Sequence, residues 1–371
     1  MIRFTRAIAA SQNSLTVCAI RDGAEPYTPD ARLFQYEHLG HGPRGDTWFY
    51  DDFAMSIQDI IFARDMGSAE RPSYYAHLSS EGEIHHSARP EQYREIIPGT
   101  GADEIGNKFY GYVYTLRQIG ARLYVCGDGG QIYVRHGRDD WRMLTDAVLF
   151  DPRARERQRE AEQAAGVSPP PRGSDEYVQW RLQRVLNPPS RNILFNDMQG
   201  LSEDAIYLCG EVGPGSKPVL CYWDGATLEE LKVPMEEAAL TGIHIESPDS
   251  VWVCGREGVL LHGSRARGFN PVPGDRRLNL FHHITPYRGK LVMPASVRPG
   301  GLWEYDPATG AFGRFDPPLP RLTPPPADSD EPHGGPFFAQ AVGDVLWVVA
   351  ARDIYRFDGQ SWERIQHPDM P

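Results

Sequence analysis

One pattern recurs along this chain and constrains its fold more than any other feature. At 123–144 the residues read Leu-Tyr-Val-Cys-Gly-Asp-Gly-Gly-Gln-Ile-Tyr-Val-Arg-His-Gly-Arg-Asp-Asp-Trp-Arg-Met-Leu: strand, glycine turn, strand, polar turn, strand. The apolar run ending in Cys-Gly returns at Cys209-Gly210 and Cys254-Gly255. Seven segments pair an apolar strand with a second, β-rich one, ending near Ile20, Ala63, Gly127, Gly210, Gly255, Pro294 and Ala350. A third strand follows most of them, as at 131–135, 219–223, 259–262, 302–305 and 354–357. A fourth, more polar strand then carries an aromatic or an alternating pattern, as at 141–144, 312–315 and 362–365. Asp224-Gly225, Asp306-Pro307 and Asp358-Gly359 provide turns before it.

Four antiparallel strands repeated along one chain predict propeller blades. A second strand that is apolar at nearly every position fits burial between neighbouring blades, and an outer strand with charge fits an exposed edge. We therefore expect an all-β chain, a single β-propeller domain over 1–371, with seven four-stranded blades. Six or eight stay open, because the first two units are the least regular. Blade seven is expected to meet blade one without an exchanged strand. A helical and proline-rich insertion at 151–190 is expected between blades three and four. Its first part, 151–166, has helix formers throughout, Pro152 near its start and Gly166 as a stop. The pattern of Val178, Trp180, Leu182 and Val185 fits strand and helix alike. A second proline-rich loop, 317–336, joins blades six and seven.

The wording at 123–144 is similar to the Asp-box (BNR-like) and photosystem-assembly-type propellers. It shares Gly127, Gly130 and Trp141, and the fifth unit keeps the glycine pair as Gly255 and Gly258. The Asp-box itself is replaced by His136-Gly137-Arg138-Asp139-Asp140-Trp141. The resemblance implies the fold and leaves the function open, since such propellers include sialidases, lectins, assembly factors and scaffolds.

Formal net charge is −12, which argues against nucleic acid as the main partner and suits a basic protein. No apolar run is long enough to span a bilayer, and the first residues make a poor signal peptide. The five cysteines read as small buried apolar residues in a reducing, cytoplasmic compartment, with no Cys-x-x-Cys pair for zinc. His85-His86 and His282-His283 cannot chelate from one face, because neighbours on a strand point oppositely. No metal, cofactor or catalytic set is expected.

The candidate site is a set of charged residues read as following the second strand of each blade: Arg21, Asp22, Arg64, Asp65, Asp128, Glu211, Arg256, Glu257, Arg352 and Asp353. Such loops gather on one face of a ring. They would form a recognition surface for another protein, or salt bridges fixing the ring. The function expected is protein binding without catalysis, as a bacterial immunity protein against a basic toxin or enzyme, or as an assembly factor. The alternative is a carbohydrate-active enzyme or lectin of sialidase type, with a convergence of Arg, carboxylate and Tyr at the channel mouth. A third option is a lactonase-like propeller with metal ligands on inner strands.

Overall fold

A computed structural model describes residues 2–24, 27, 29–38, 47–64, 73–87, 91–102, 108–213, 216–273, 280–297, 300–324 and 335–369. Seven four-stranded antiparallel sheets stand in a ring, and each is built from four consecutive strands. The blades occupy 2–53, 57–96, 113–143, 193–230, 240–271, 285–314 and 336–365. The first strands of the blades face one another around the axis. Among the described residues no strand is exchanged between blades seven and one.

The second strands explain why the ring is stable. Val345–Ala350, VLWVVA, is buried at every position, and Ser14–Arg21 at all but its last. A strand covered on both faces loses the alternation of a half-exposed one. Seven apolar clusters result, one at each blade-to-blade interface. The Cys-Gly signature is a packing device. A Cβ on Gly127, Gly210 or Gly255 would lie 2.3, 1.9 or 2.2 Å from the carbonyl oxygen of Tyr112, Leu194 or Ala239, at or just before the start of the adjoining first strand. Only glycine lets the two backbones approach so closely. The cysteines beside them are free and fully buried, and burial pushes the Cys254 thiol up to about 12.

The outer turns follow the sequence as well. Asp224 accepts from the backbone N–H of Ala226 and Thr227 at 3.0 and 2.8 Å, and Asp358 from Gln360 and Ser361 at 2.8 Å each. Asp306 accepts from Ala308 at 2.8 Å. These are Asx turns, in which the side chain replaces a backbone acceptor.

Two elements differ from the sequence reading. Blade two begins at Ile57–Ala63, and its second strand is Tyr74–Ser79. Of the residues at 53–57, Phe53 therefore ends blade one's outer strand, Thr47–Phe53, 54–56 form the connection, and only Ile57 belongs to blade two. In the insertion, Ala154–Ala164 is helix α1, as its composition predicts. Asp175–Leu186 is a second helix, α2, which settles the open periodicity. Ser174 caps α2 by accepting from the Tyr177 N–H at 3.1 Å. Among the described residues no helix is long and apolar enough to cross a membrane.

Candidate partner-binding face

Because successive strands reverse direction, loops after second strands and connections after fourth strands open at the same end of the ring. We call this the upper face. Helices α1 and α2, which follow the fourth strand of blade three, lie on that side of the chain path.

A bonded ring of inner strands holds this face in place. The pairing slips by one residue near the start of the first strand in blades one, two, three, four, five and seven. Bulges of this kind re-aim side chains, and here those side chains reach the next blade. Arg6 donates to Gln58 Oε1 at 3.0 Å. Asp59 accepts from Leu116 N–H at 2.9 Å and from Arg117 at 2.6 Å. Arg117 also donates to Asp197 at 2.7 Å, and Asp197 accepts from Ile243 N–H at 2.9 Å. Thr241 donates to the Phe281 carbonyl. His283 Nε2 lies 2.7 Å from the Ala339 carbonyl, and Gln340 Oε1 accepts from Ala9 N–H at 2.8 Å. Every neighbouring pair of blades is thus joined. Burial alone would lower the Arg117 pKa, but Asp197 and Asp59 hold the guanidinium firmly protonated.

The charged candidates divide by burial. Arg352 is buried and forms a two-pronged pair with Asp22 at 3.1 and 2.7 Å, joining blade seven to blade one. That pairing lowers the Asp22 pKa below the usual range. Asp353 is buried and accepts from Thr323 N–H at 2.6 Å and from Arg364 Nε at 3.0 Å. Arg256 lies 3.8 Å from Glu211 across blades five and four. Arg21 reaches Asp30 at 3.3 Å. Arg21, Arg256 and Glu257 are exposed. Glu257 holds φ at 56°, where the equivalent turn of blade three has Gly129 at 67°. A glutamate in this left-handed region is uncommon and costs backbone energy.

Arg64 stands apart. It follows the first strand of blade two, so it lies at the lower face, away from the others. There its N–H donates to Gln118 Oε1 at 2.7 Å and its carbonyl accepts from Gln118 Nε2 at 2.8 Å. Asp65 lies outside the described residues.

An aromatic group on the upper face escaped the sequence reading. Tyr27, from the blade-one loop, stacks on Tyr112 at the start of blade three, with ring centroids 4.8 Å apart. Beside it Tyr114 donates to Asp128 Oδ2 at 2.9 Å, and Tyr112 N–H reaches the same oxygen at 3.3 Å. Burial raises the Asp128 carboxyl above its usual range despite these bonds. Burial and the Asp128 charge together raise the Tyr114 phenol well above its ordinary value. The signal was present as four tyrosines, Tyr27, Tyr110, Tyr112 and Tyr114, but 80-odd residues of blade separate the first from the rest.

His85 and His86, in the strand Glu83–His86, behave as alternation requires, whereas His282 and His283 lie before the strand Thr285–Tyr287 and not in it. His85 packs on Phe53 of blade one, whereas His86 meets Glu95 at 3.3 Å. His282 Nε2 bonds Ser296 Oγ at 2.7 Å. Among the described residues no group of three or more His, Cys, Asp or Glu could hold a metal ion.

No family model matches the chain. It is 26% identical over 293 residues to the immune protein Tsi7 of Pseudomonas aeruginosa, an overlap spanning 78% of this chain and 74% of that one. The fold is similar to the WD40 β-propeller domain of Doa1, with a TM-score of 0.55 at 8% identity, covering 94% of this chain and 90% of that one. It is also similar to YCF48 from Cyanidioschyzon merolae, with a TM-score of 0.54 at 11% identity, covering 94% and 93%. These structural likenesses establish the seven-bladed β-propeller and leave the charged and aromatic residues of the upper face to be read on their own chemistry.

Proposed function

We propose that this chain is a non-catalytic, protein-binding propeller of the immunity type, which neutralises a toxic protein by covering it with its upper face. The observation that carries the reading is the likeness to the immune protein Tsi7, which runs through more than three quarters of the chain. Three features support it physically. The bonded inner ring gives a rigid platform, so little ordering is lost on binding. Arg21, Arg256 and Glu257 are exposed on the face that also carries a stacked tyrosine pair, and Tyr and Arg are enriched among residues that dominate interfaces. The net charge of −12 would steer a basic partner onto the ring.

The test is a growth assay. Secreted or contact-delivered proteins of the native host are expressed singly in a sensitive cell, with and without this chain. One of them should be toxic alone and harmless in its presence, and the two should co-elute at fixed stoichiometry. If no toxic protein is relieved, the immunity reading fails. If relief occurs without a complex, the docking reading fails.

A further inference from the structure

The interface between blades one and two opens outward into a cleft of about 510 Å3 near the lower face. Its blade-one wall carries Leu33, Gln35, Phe49, Asp51 and Phe53, and its blade-two wall carries Phe62, Tyr75 and His77. These sets follow from register. Leu33 pairs with Asp51 and Gln35 with Phe49, so all four project to one side of their sheet. Phe62 pairs with Tyr75 and Ile60 with His77, forming the facing side of the next. Phe49 remains 56% exposed and Phe62 39%, a high figure for two aromatic rings facing a common space.

The other side of the same blade-one sheet shows what such a surface binds. There Arg32 pairs with Asp52 at 2.6 and 3.0 Å, and its guanidinium lies 4.6 Å from the centre of the Tyr50 ring. Carboxylate, cation and aromatic face form one unit. One residue along, on the cleft side, the carboxylate is Asp51 and the aromatic is Phe49. The residue opposite Asp51 is Leu33, so the strand supplies no cation. Asp51 makes no ion pair or hydrogen bond among the described residues, and no Lys or Arg is among those lining the cleft. Burial pushes His77 down to about 3, so it adds no positive charge at neutral pH.

We propose that this cleft receives an arginine side chain presented by a partner protein, with Asp51 as counter-ion and Phe49, Phe62 and Tyr75 as aromatic walls. A guanidinium suits the site better than an ammonium, because its flat, weakly hydrated face stacks on aromatic rings while its edge pairs with a carboxylate. The volume exceeds one side chain, so residues flanking the arginine would also enter. This surface is separate from the upper face, and its existence does not depend on the immunity reading.

The test uses the full chain labelled with 4-fluorophenylalanine, with the Phe49 and Phe62 resonances assigned by Phe→Leu variants. The probes are acetyl-Gly-Arg-Gly amide and the same peptide with citrulline, which keeps the shape and loses the charge. The arginine peptide should shift both resonances saturably. Citrulline, or Asp51→Asn in the protein, should weaken binding on the order of tenfold. Asp52→Asn should leave it unchanged, and Asp51→Asn should melt at the wild-type temperature because Asp51 is exposed. Equal binding of citrulline, an unsaturable drift of every resonance, or an Asp51→Asn protein that binds normally would each overturn the proposal. Since the probe is a free peptide, the outcome is independent of whether a toxic partner exists.

Discussion

Single residues decide how this ring responds to acid. Glu95 is buried and accepts from Arg135 at 2.8 and 2.6 Å, Trp141 Nε1 at 2.8 Å, Asp139 N–H at 3.1 Å and His86 at 3.3 Å. Burial alone would raise its pKa, but Arg135, His86 and Trp141 more than reverse that and hold it well below the usual range. A depressed carboxyl contributes stability that is present above the unfolded value of roughly 4.3 and is lost as pH falls below it. Replacing Glu95 by Gln should leave Arg135 without its counter-ion and cost on the order of 3 kcal/mol, read as a lowered urea midpoint. Buried histidines act earlier on the same descent. Burial lowers His77 and His282 to about 3 each, and His367 to about 4. Unfolded histidine takes its proton near 6.5, so below that pH the unfolded state binds more protons. Each group then weakens folding by about 1.4 kcal/mol per pH unit until its folded pKa is reached. The melting temperature should therefore fall between pH 7 and 5. A His77→Phe variant should fall less steeply, and an unchanged slope would show that His77 is not neutral in the fold.

The elements differ in how far the sequence reveals them. Second strands and their glycines were legible because burial on both faces and backbone contact leave a local, repeated signature at Cys126-Gly127, Cys209-Gly210 and Cys254-Gly255. The Asp turns were legible for the same reason. The frame of blade two was misplaced because Phe53 and Ile57 are both buried core residues on either side of a short connection, and hydropathy alone does not mark the break. That one-strand shift is why Arg64 was grouped with residues at the opposite end of the ring. The inner ring of Asp59, Arg117 and Asp197 was not legible. Its partners are 58 and 80 residues apart, and bulges, which no local pattern announces, bring them together. The cleft depends on two walls whose spacing no sequence pattern encodes. At the same scale, α1 and α2 are joined through Glu162 and Arg184, and α2 leaves Val178, Leu182 and Val185 exposed. Replacing residues 153–188 by a short Gly-Ser linker should leave the propeller's melting temperature nearly unchanged. A drop of many degrees would mean the hairpin braces blade three against blade four.

For the whole molecule the decisive joint is the seam between blades seven and one. Without an exchanged strand among the described residues, closure rests on one backbone bond, Phe4 N–H to the Ala351 carbonyl at 2.8 Å, and on side chains. Arg352 pairs with Asp22, Trp347 Nε1 donates to the Ser11 carbonyl at 3.1 Å, and Trp48 Nε1 donates to the Gln366 carbonyl at 3.0 Å. His367 then packs edge-on against Phe34, at 4.2 Å between ring centres. Arg352→Ala should cost on the order of 2 kcal/mol by removing the two-pronged, charge-assisted bond to Asp22. Hydrogen exchange should quicken first in the strands flanking the seam, and a loss spread evenly over all blades would contradict this picture of closure. A ring closed in this way presents its upper face as one rigid surface, and the account of function depends on that surface. The most direct measurement is the affinity for whichever toxic protein the growth assay identifies, compared between the wild type and an Arg21→Glu, Arg256→Glu, Glu257→Lys variant. These three side chains are exposed, and the ion pairs that Arg21 and Arg256 make with Asp30 and Glu211 are surface pairs worth about 1 kcal/mol or less each, so the fold should stand. Binding weakened on the order of a hundredfold or more, with an unaltered melting temperature, is the predicted result. Wild-type affinity in the triple variant would contradict the assignment of the upper face as the docking surface.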